Sequence, residues 1–312
     1  MILLWLTLLT SSSIADRRIC IWENPETYNE ICSKEALLYS YIAFTKDLKS
    51  LYEWQCMLCK GAPPLHIVGT FDGRPGDHYG YIGYQLSSPD VLILSFRGTK
   101  SFDAALHDSD IIFKRWPEHA PQSKVHRGFF RHYSIVQKQV RDIITAWSLL
   151  HPATKLVITG HSLGAATAMI ASVELSHIIP NPFVYLFGSP RVGNGFFAQH
   201  VKDLGLNIFR VNNDHDIVPH TPWCSLSLLH GSCPGGQFPT HPPTEILYNK
   251  GMTSYVQCSR DDGEDMNCSN SFSRFSYSFR DHVVYFGHKV SSNFTNFFTN
   301  DPDAESRLLN TT

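Results

Sequence analysis

The sequence is short of charge and of long apolar runs. Asp, Glu, Lys and Arg make up 17% of its 312 residues, and 26 basic against 28 acidic side chains leave a net charge of −2. No basic excess exists to neutralise phosphates, so nucleic acid is not an expected partner. No apolar stretch reaches the ~20 residues that a bilayer-spanning helix needs, so no transmembrane segment is expected. No fixed-period repeat and no linker divides the chain. Apolar and aromatic residues are plentiful instead: 43% of the chain is hydrophobic, with 20 Phe, 13 Tyr and 6 Trp. That is enough for a large core, and too much for a disordered chain.

Basic residues are also missing from the first fifteen positions. Met1 to Leu9 is nearly all apolar, and Ser11 to Ala15 is small and mostly polar. Ser13 and Ala15 occupy the two positions a signal peptidase inspects, so residues 1–15 read as a secretory signal. Residues 16–290 read as one domain. Residues 291–312, rich in Ser, Asn and Thr, read as a loosely attached tail. All 8 cysteines lie beyond the signal, in four sequence-local pairs: Cys20 and Cys32, Cys56 and Cys59, Cys224 and Cys233, Cys258 and Cys268. An even count in a secreted chain suggests disulfides, and local pairing is the simplest scheme. No Cys or His set stands at zinc-finger spacing, so no metal is expected. Glycosylation sequons occur at Asn267, Asn293 and Asn310.

Two short apolar runs, Val91–Phe96 and Lys155–Thr159, are bounded by Pro and Gly and suit strands covered on both faces. Between them Phe130, Tyr133, Val136, Val140, Ile143 and Trp147 recur at helical spacing and share one face. A second helical stretch, rich in Ala, Met and Ile, runs from Gly164 to about Ile178. Further strand candidates are Phe183–Phe187 and Ile208–Val211. Alternating strands and helices imply an α/β fold, a mostly parallel central sheet with helices on both faces.

Gly160-His161-Ser162-Leu163-Gly164 stands between the second strand and the Ala-rich helix. That context is what a nucleophile elbow requires. The turn is so tight that the residues two positions to either side of Ser162 must be small, as Gly160 and Gly164 are. It lifts the Ser162 hydroxyl above the sheet edge and aims the Leu163 N–H at the same point, where a helix N-terminus favours an oxyanion. Such a serine needs a base and an orienting acid, in chain order Ser, Asp or Glu, His. Asp214 and Asp216 compete for the acid. Asp216 precedes the apolar Ile217-Val218-Pro219, which would bury it, whereas Asp214 sits among polar residues. Of the downstream histidines, His282 stands out because Val283-Val284-Tyr285-Phe286 follow it.

With these residues the sequence resembles the class 3 lipases, the fungal triacylglycerol-lipase family. The matching strings are Phe96-Arg97-Gly98-Thr99, Val125-His126-Arg127-Gly128-Phe129, Gly160 to Ala166, Gly188-Ser189-Pro190-Arg191-Val192-Gly193-Asn194, Asn213 to Pro219 and Asp281 to Phe286. The resemblance implies an α/β-hydrolase fold over roughly residues 30 to 290. It places the nucleophile on Ser162, the acid on Asp216, the base on His282, and the oxyanion donors on Leu163 and Thr99. Cys56/Cys59 and Cys258/Cys268 fall on disulfide positions of fungal members; Cys224/Cys233 and Cys20/Cys32 then follow by proximity. The family's lid falls on residues 100–108, where Phe102, Ala105 and Leu106 share one small apolar face.

The expected function is therefore hydrolysis of carboxylic esters of lipids, most of all acylglycerols, by a secreted serine hydrolase with no cofactor. Its expected partner is a lipid or ester substrate, met at a lipid–water interface. An esterase for feruloyl or phospholipid esters is the nearer rival, and an inactive lipid-binding protein the more distant one.

Overall fold

The computed structural model describes residues 19–74, 77–98, 112–223 and 235–289. The signal expectation, Thr99, Phe102, Leu106, the Cys224/Cys233 pair, the tail, Asn293 and Asn310 lie outside the described residues.

Eight strands form the main sheet: β1 (Leu65–Arg74), β2 (Asp77–Gln85), β3 (Val91–Phe96), β4 (Lys155–His161), β5 (Phe183–Phe187), β6 (Ile208–Asn213), β7 (Glu245–Tyr248) and β8 (Tyr255–Gln257). They lie side by side in chain order. Pairing is parallel from β3 through β7, and antiparallel at the β1–β2–β3 side and at β7–β8. The mostly parallel sheet expected from the sequence is thus observed.

The continuous apolar strands are explained by two cores, one on each face. In β3, Val91 and Ile93 join the core beneath helix α1 (Glu30–Ile42), together with Val157, Tyr185 and Val211. Leu92, Leu94 and Phe96 point the other way, into the core beneath α2 (Arg127–Leu150) and α3 (Leu163–Leu175). The period of two along a strand sends every second residue to each face, so a strand covered on both sides must be apolar throughout. Helix α2 buries Tyr133, Val136, Val140 and Ile144. Ile144, rather than the expected Ile143, is fully buried; Ile143 and Trp147 flank the stripe and are partly buried. Helix α3 is buried nearly all round and ends at Leu175, short of Ile178.

Disulfides join Cys20 to Cys32, Cys56 to Cys59 and Cys258 to Cys268. No helix among the described residues is long and apolar enough to cross a membrane.

Candidate active site

The ends of β4, β5 and β6 converge on one point of the sheet's edge. At the end of β4, Ser162 adopts φ 61° and ψ −125°, a conformation that costs a non-glycine residue energy. The surrounding turn holds it there. A Cβ on Gly160 would lie 2.3 Å from the Gly164 carbonyl oxygen, and one on Gly164 would lie 2.3 Å from that of Phe96. No side chain fits at either position, which is the steric demand the G-x-S-x-G string anticipates. The Ser162 N–H donates to the Phe187 carbonyl at 2.9 Å, tying the turn to β5. The Ser162 hydroxyl is buried and makes no hydrogen bond among the described residues. Leu163 opens α3, so its N–H has no intrahelical acceptor and is available to an oxyanion. Gly98, at the end of β3, comes close enough that a Cβ there would touch Ser162 Cβ at 3.5 Å.

Asp216 and His282 are 1% and 2% exposed and come from different segments. Asp216 follows β6, and His282 ends the short helix α5 (Phe279–His282) that follows Ser278. The two segments are laced together. The Ser278 N–H donates to the His215 carbonyl at 2.8 Å, and the Ile217 N–H to the Ser278 carbonyl at 3.4 Å. Asn213 Nδ2 donates to the carbonyls of Asp281, at 3.1 Å, and Val284, at 2.8 Å. His282 Nδ1 then lies 2.9 Å from Asp216 Oδ2. A carboxylate only accepts, so Nδ1 carries the proton and Nε2 is left as the basic nitrogen. Asp216 Oδ1 accepts from the Val218 N–H at 2.8 Å.

Three further residues surround this pair, and sequence reasoning did not single them out as site residues. Tyr285 donates its hydroxyl to Asp216 Oδ2 at 2.6 Å. Burial, and then the Asp216 charge, push that phenol well above its ordinary range, so it stays protonated and remains a donor. His161 stacks on the His282 ring with centres 4.6 Å apart, and its Nε2–H donates to the His282 carbonyl at 2.9 Å. Burial, followed by His282's charge, lowers His161 well below the ordinary imidazole range, which keeps it neutral. Gly188, at φ +53°, faces the pair so closely that a Cβ would lie 2.7 Å from Asp216 Oδ2 and 2.8 Å from His282 Nδ1. Tyr285 and His161 stood inside recognised strings, but nothing in one sequence shows which group a hydroxyl or imidazole will reach.

Asp214 points elsewhere. Its Oδ2 lies 3.0 Å from His215 Nδ1. Asp214, His215 and Asp281 bring ligand atoms within 4.8 Å of one another and form an open metal-capable group. Burial, and then Asp214's charge, raise the Asp281 carboxyl. In the other such group, of Glu245, Cys258 and Cys268, the two sulfurs are bonded to each other.

Behind the acid segment lies a buried ion pair. Arg191 grips Glu264 through two hydrogen bonds, Nε to Oε1 at 2.9 Å and Nη2 to Oε2 at 2.8 Å. Arg191 Nη1 donates to the His220 carbonyl at 2.6 Å, four residues beyond Asp216. Asn270 and the His241 N–H satisfy Glu264's remaining capacity.

The family described as "Lipase (class 3)" matches residues 93–226. A lipase of Rhizopus niveus is 34% identical over 264 residues, covering 81% of this chain; the chain spans 63% of that relative's own length. The solved structure of lipase II from Rhizopus niveus superposes with a TM-score of 0.71 at 30% identity, covering 85% of this chain and 98% of that one. That of the Rhizomucor miehei triacylglyceride lipase gives 0.70 at 27% identity, covering 83% and 96%.

Proposed function

Because the chain belongs to the class 3 lipase family, we propose that it is a secreted serine hydrolase cleaving carboxylic esters of acylglycerols. One arrangement carries the reading: a strained serine at a strand–helix turn, beside a buried Asp216–His282 pair that β6 and α5 bring together. Ser162 Oγ attacks the acyl carbonyl carbon while its proton passes to His282 Nε2. Asp216 holds the imidazole in that tautomer and stabilises the imidazolium. The carbonyl oxygen becomes an oxyanion, received by the Leu163 N–H and by Thr99; each such donor is worth ~2.7–4 kcal/mol in the transition state. Collapse breaks the ester C–O bond, and His282 returns the proton to the departing glycerol oxygen. Water then attacks the acyl-enzyme, His282 takes its proton, and the carboxylic acid leaves with Ser162 restored.

Three disulfides among the described residues favour an oxidising compartment, which supports secretion, and cleavage after Ala15 follows from the Ser13–Ala15 pattern. N-terminal sequencing of the secreted chain should begin at Asp16. The sequence of residues 100–108 holds one Phe and one Leu among its few apolar side chains, little area to offer to lipid, so weak interfacial activation is expected.

Two measurements test the function. An organophosphonate should label Ser162 stoichiometrically; an unlabelled, folded chain would make the protein a binder rather than an enzyme. Hydrolysis of short- and long-chain glycerides should then rise smoothly through the solubility limit. A steep jump there, abolished by Phe102→Ala, would contradict weak activation, and turnover of feruloyl or phospholipid esters alone would contradict the substrate class.

A further inference from the structure

Three imidazoles stand together away from the triad. His119 lies in the loop after Trp116-Pro117, His177 just beyond the end of α3, and His200 in helix α4 (Gly195–Asp203). The ring centres of His119 and His200 are 5.3 Å apart, and those of His119 and His177 are 6.3 Å apart. The rings meet at 63° and 77°, edge to face rather than stacked. His119 and His177 are exposed, so both rings are free to turn. His200 is half-buried, and its enclosed Nε2 has no hydrogen-bond partner among the described residues.

Three imidazoles make a donor set that suits a transition metal. Neutral imidazole suits zinc, and Zn–N bonds are short, so two imidazoles on one tetrahedral zinc hold their ring centres about 5 Å apart. His119 and His200 already stand at that spacing. His177 needs to come about an ångström nearer His119, which an exposed side chain does by turning between rotamers. Each of the three imidazoles comes from a different segment. Burial, and then the neighbouring His119, lower His200 below its ordinary range, against the opposing charge of Asp203; this favours the neutral form that ligates.

We propose that His119, His177 and His200 bind one Zn²⁺ ion, with the fourth position open to water. The ion fastens the loop after Pro117 to the end of α3 and to α4. Ser162 caps the far end of α3, about 20 Å away along its axis, so the metal acts on stability and leaves ester chemistry untouched. The inference does not depend on the proposed activity.

The test uses the full chain, stripped with a chelator and titrated with ZnCl₂ by calorimetry and thermal denaturation. One equivalent should bind with Kd below about 50 µM, and saturating zinc should raise Tm by on the order of 5 °C. His119→Ala and His177→Ala, both at exposed positions, should each abolish the titration and the shift. His215→Ala, which disables the Asp214–His215–Asp281 group, should retain both. Binding weaker than about 50 µM, binding that survives His119→Ala and His177→Ala, or binding lost with His215→Ala would each overturn the assignment.

Discussion

Tyr285 and Asp216 are joined by a 2.6 Å hydrogen bond to the same carboxylate oxygen that faces His282. The phenol is thus a second donor to that oxygen beside the imidazole and helps to fix which way it points. Tyr285→Phe removes the donor and leaves a buried carboxylate one bond short, which costs about 1–3 kcal/mol. Tm should fall, and kcat on a soluble ester should drop about tenfold with KM little changed. Unchanged kcat in folded protein would show that His282 and Val218 suffice to hold Asp216.

Asp214 and Asp216 should separate cleanly. Asp216→Asn should lower kcat by about 10⁴-fold, because the amide no longer enforces the Nδ1–H tautomer. Asp214→Asn should change it by less than about threefold, since that side chain faces His215 and not the pair. Comparable losses at both positions would contradict the assignment.

Gly188 offers a wedge. Alanine there would drive a methyl group against Asp216 Oδ2 and His282 Nδ1, and would also strain a backbone at φ +53°. Activity should fall by at least about 100-fold. A phosphonate should still reach Ser162, but slowly. Labelling at the unaltered rate would mean the pair tolerates displacement.

Stability should fall as the pH drops below the ordinary histidine value. His161, His220 and His241 are all buried, and burial lowers each well below its ordinary range, His220 and His241 being further lowered by nearby arginines. Below pH ~6.5 the unfolded chain takes up protons at these positions and the folded chain does not. Each therefore withdraws about 1.4 kcal/mol per pH unit from folding. Glu35 and Asp281, raised mainly by burial, act with the opposite sign. In the folded chain they hold protons above their unfolded values, so they recover part of the loss toward pH 4. Three histidines outweigh two carboxyls between pH 6.5 and 5, and urea midpoints should fall across that window. A flat profile would sink the argument.

The Arg191–Glu264 pair should show strong coupling. Either Arg191→Met or Glu264→Gln strands a buried partner and should cost about 3–5 kcal/mol, while the double variant should cost less than the sum. Because Arg191 also grips the His220 carbonyl, Arg191→Met should lower kcat as well. Additive losses in a double-mutant cycle would remove the pair from this account.

The fold was legible where burial leaves no choice. Val91–Phe96, Lys155–Thr159 and Phe183–Phe187 are apolar because two cores enclose them. The β1–β2 pair was not legible. Its register shifts between Ile67 and Gly69 and again between Phe71 and Asp72, which breaks the alternation of apolar residues, and His66, Asp72 and His78 stand within it. Ser162 was legible because a turn this tight admits only glycine at 160 and 164, two residues to either side of it. Tyr285 was not, because its bond to Asp216 spans 69 residues and leaves no periodic trace. The Arg191–Glu264 contact spans 73 residues and was invisible for the same reason.

The helix that carries His282 docks on parts of the site encoded long before it: the Asn213 amide, the His161 ring and the Asp216 carboxylate. A ribosome adds about 5–20 residues each second, so the roughly 120 residues between Ser162 and His282 take on the order of 10 s to make. Through that interval the growing chain carries the proposed nucleophile without the proposed base. The proposed ester hydrolase is in this way chemically silent while it is being made.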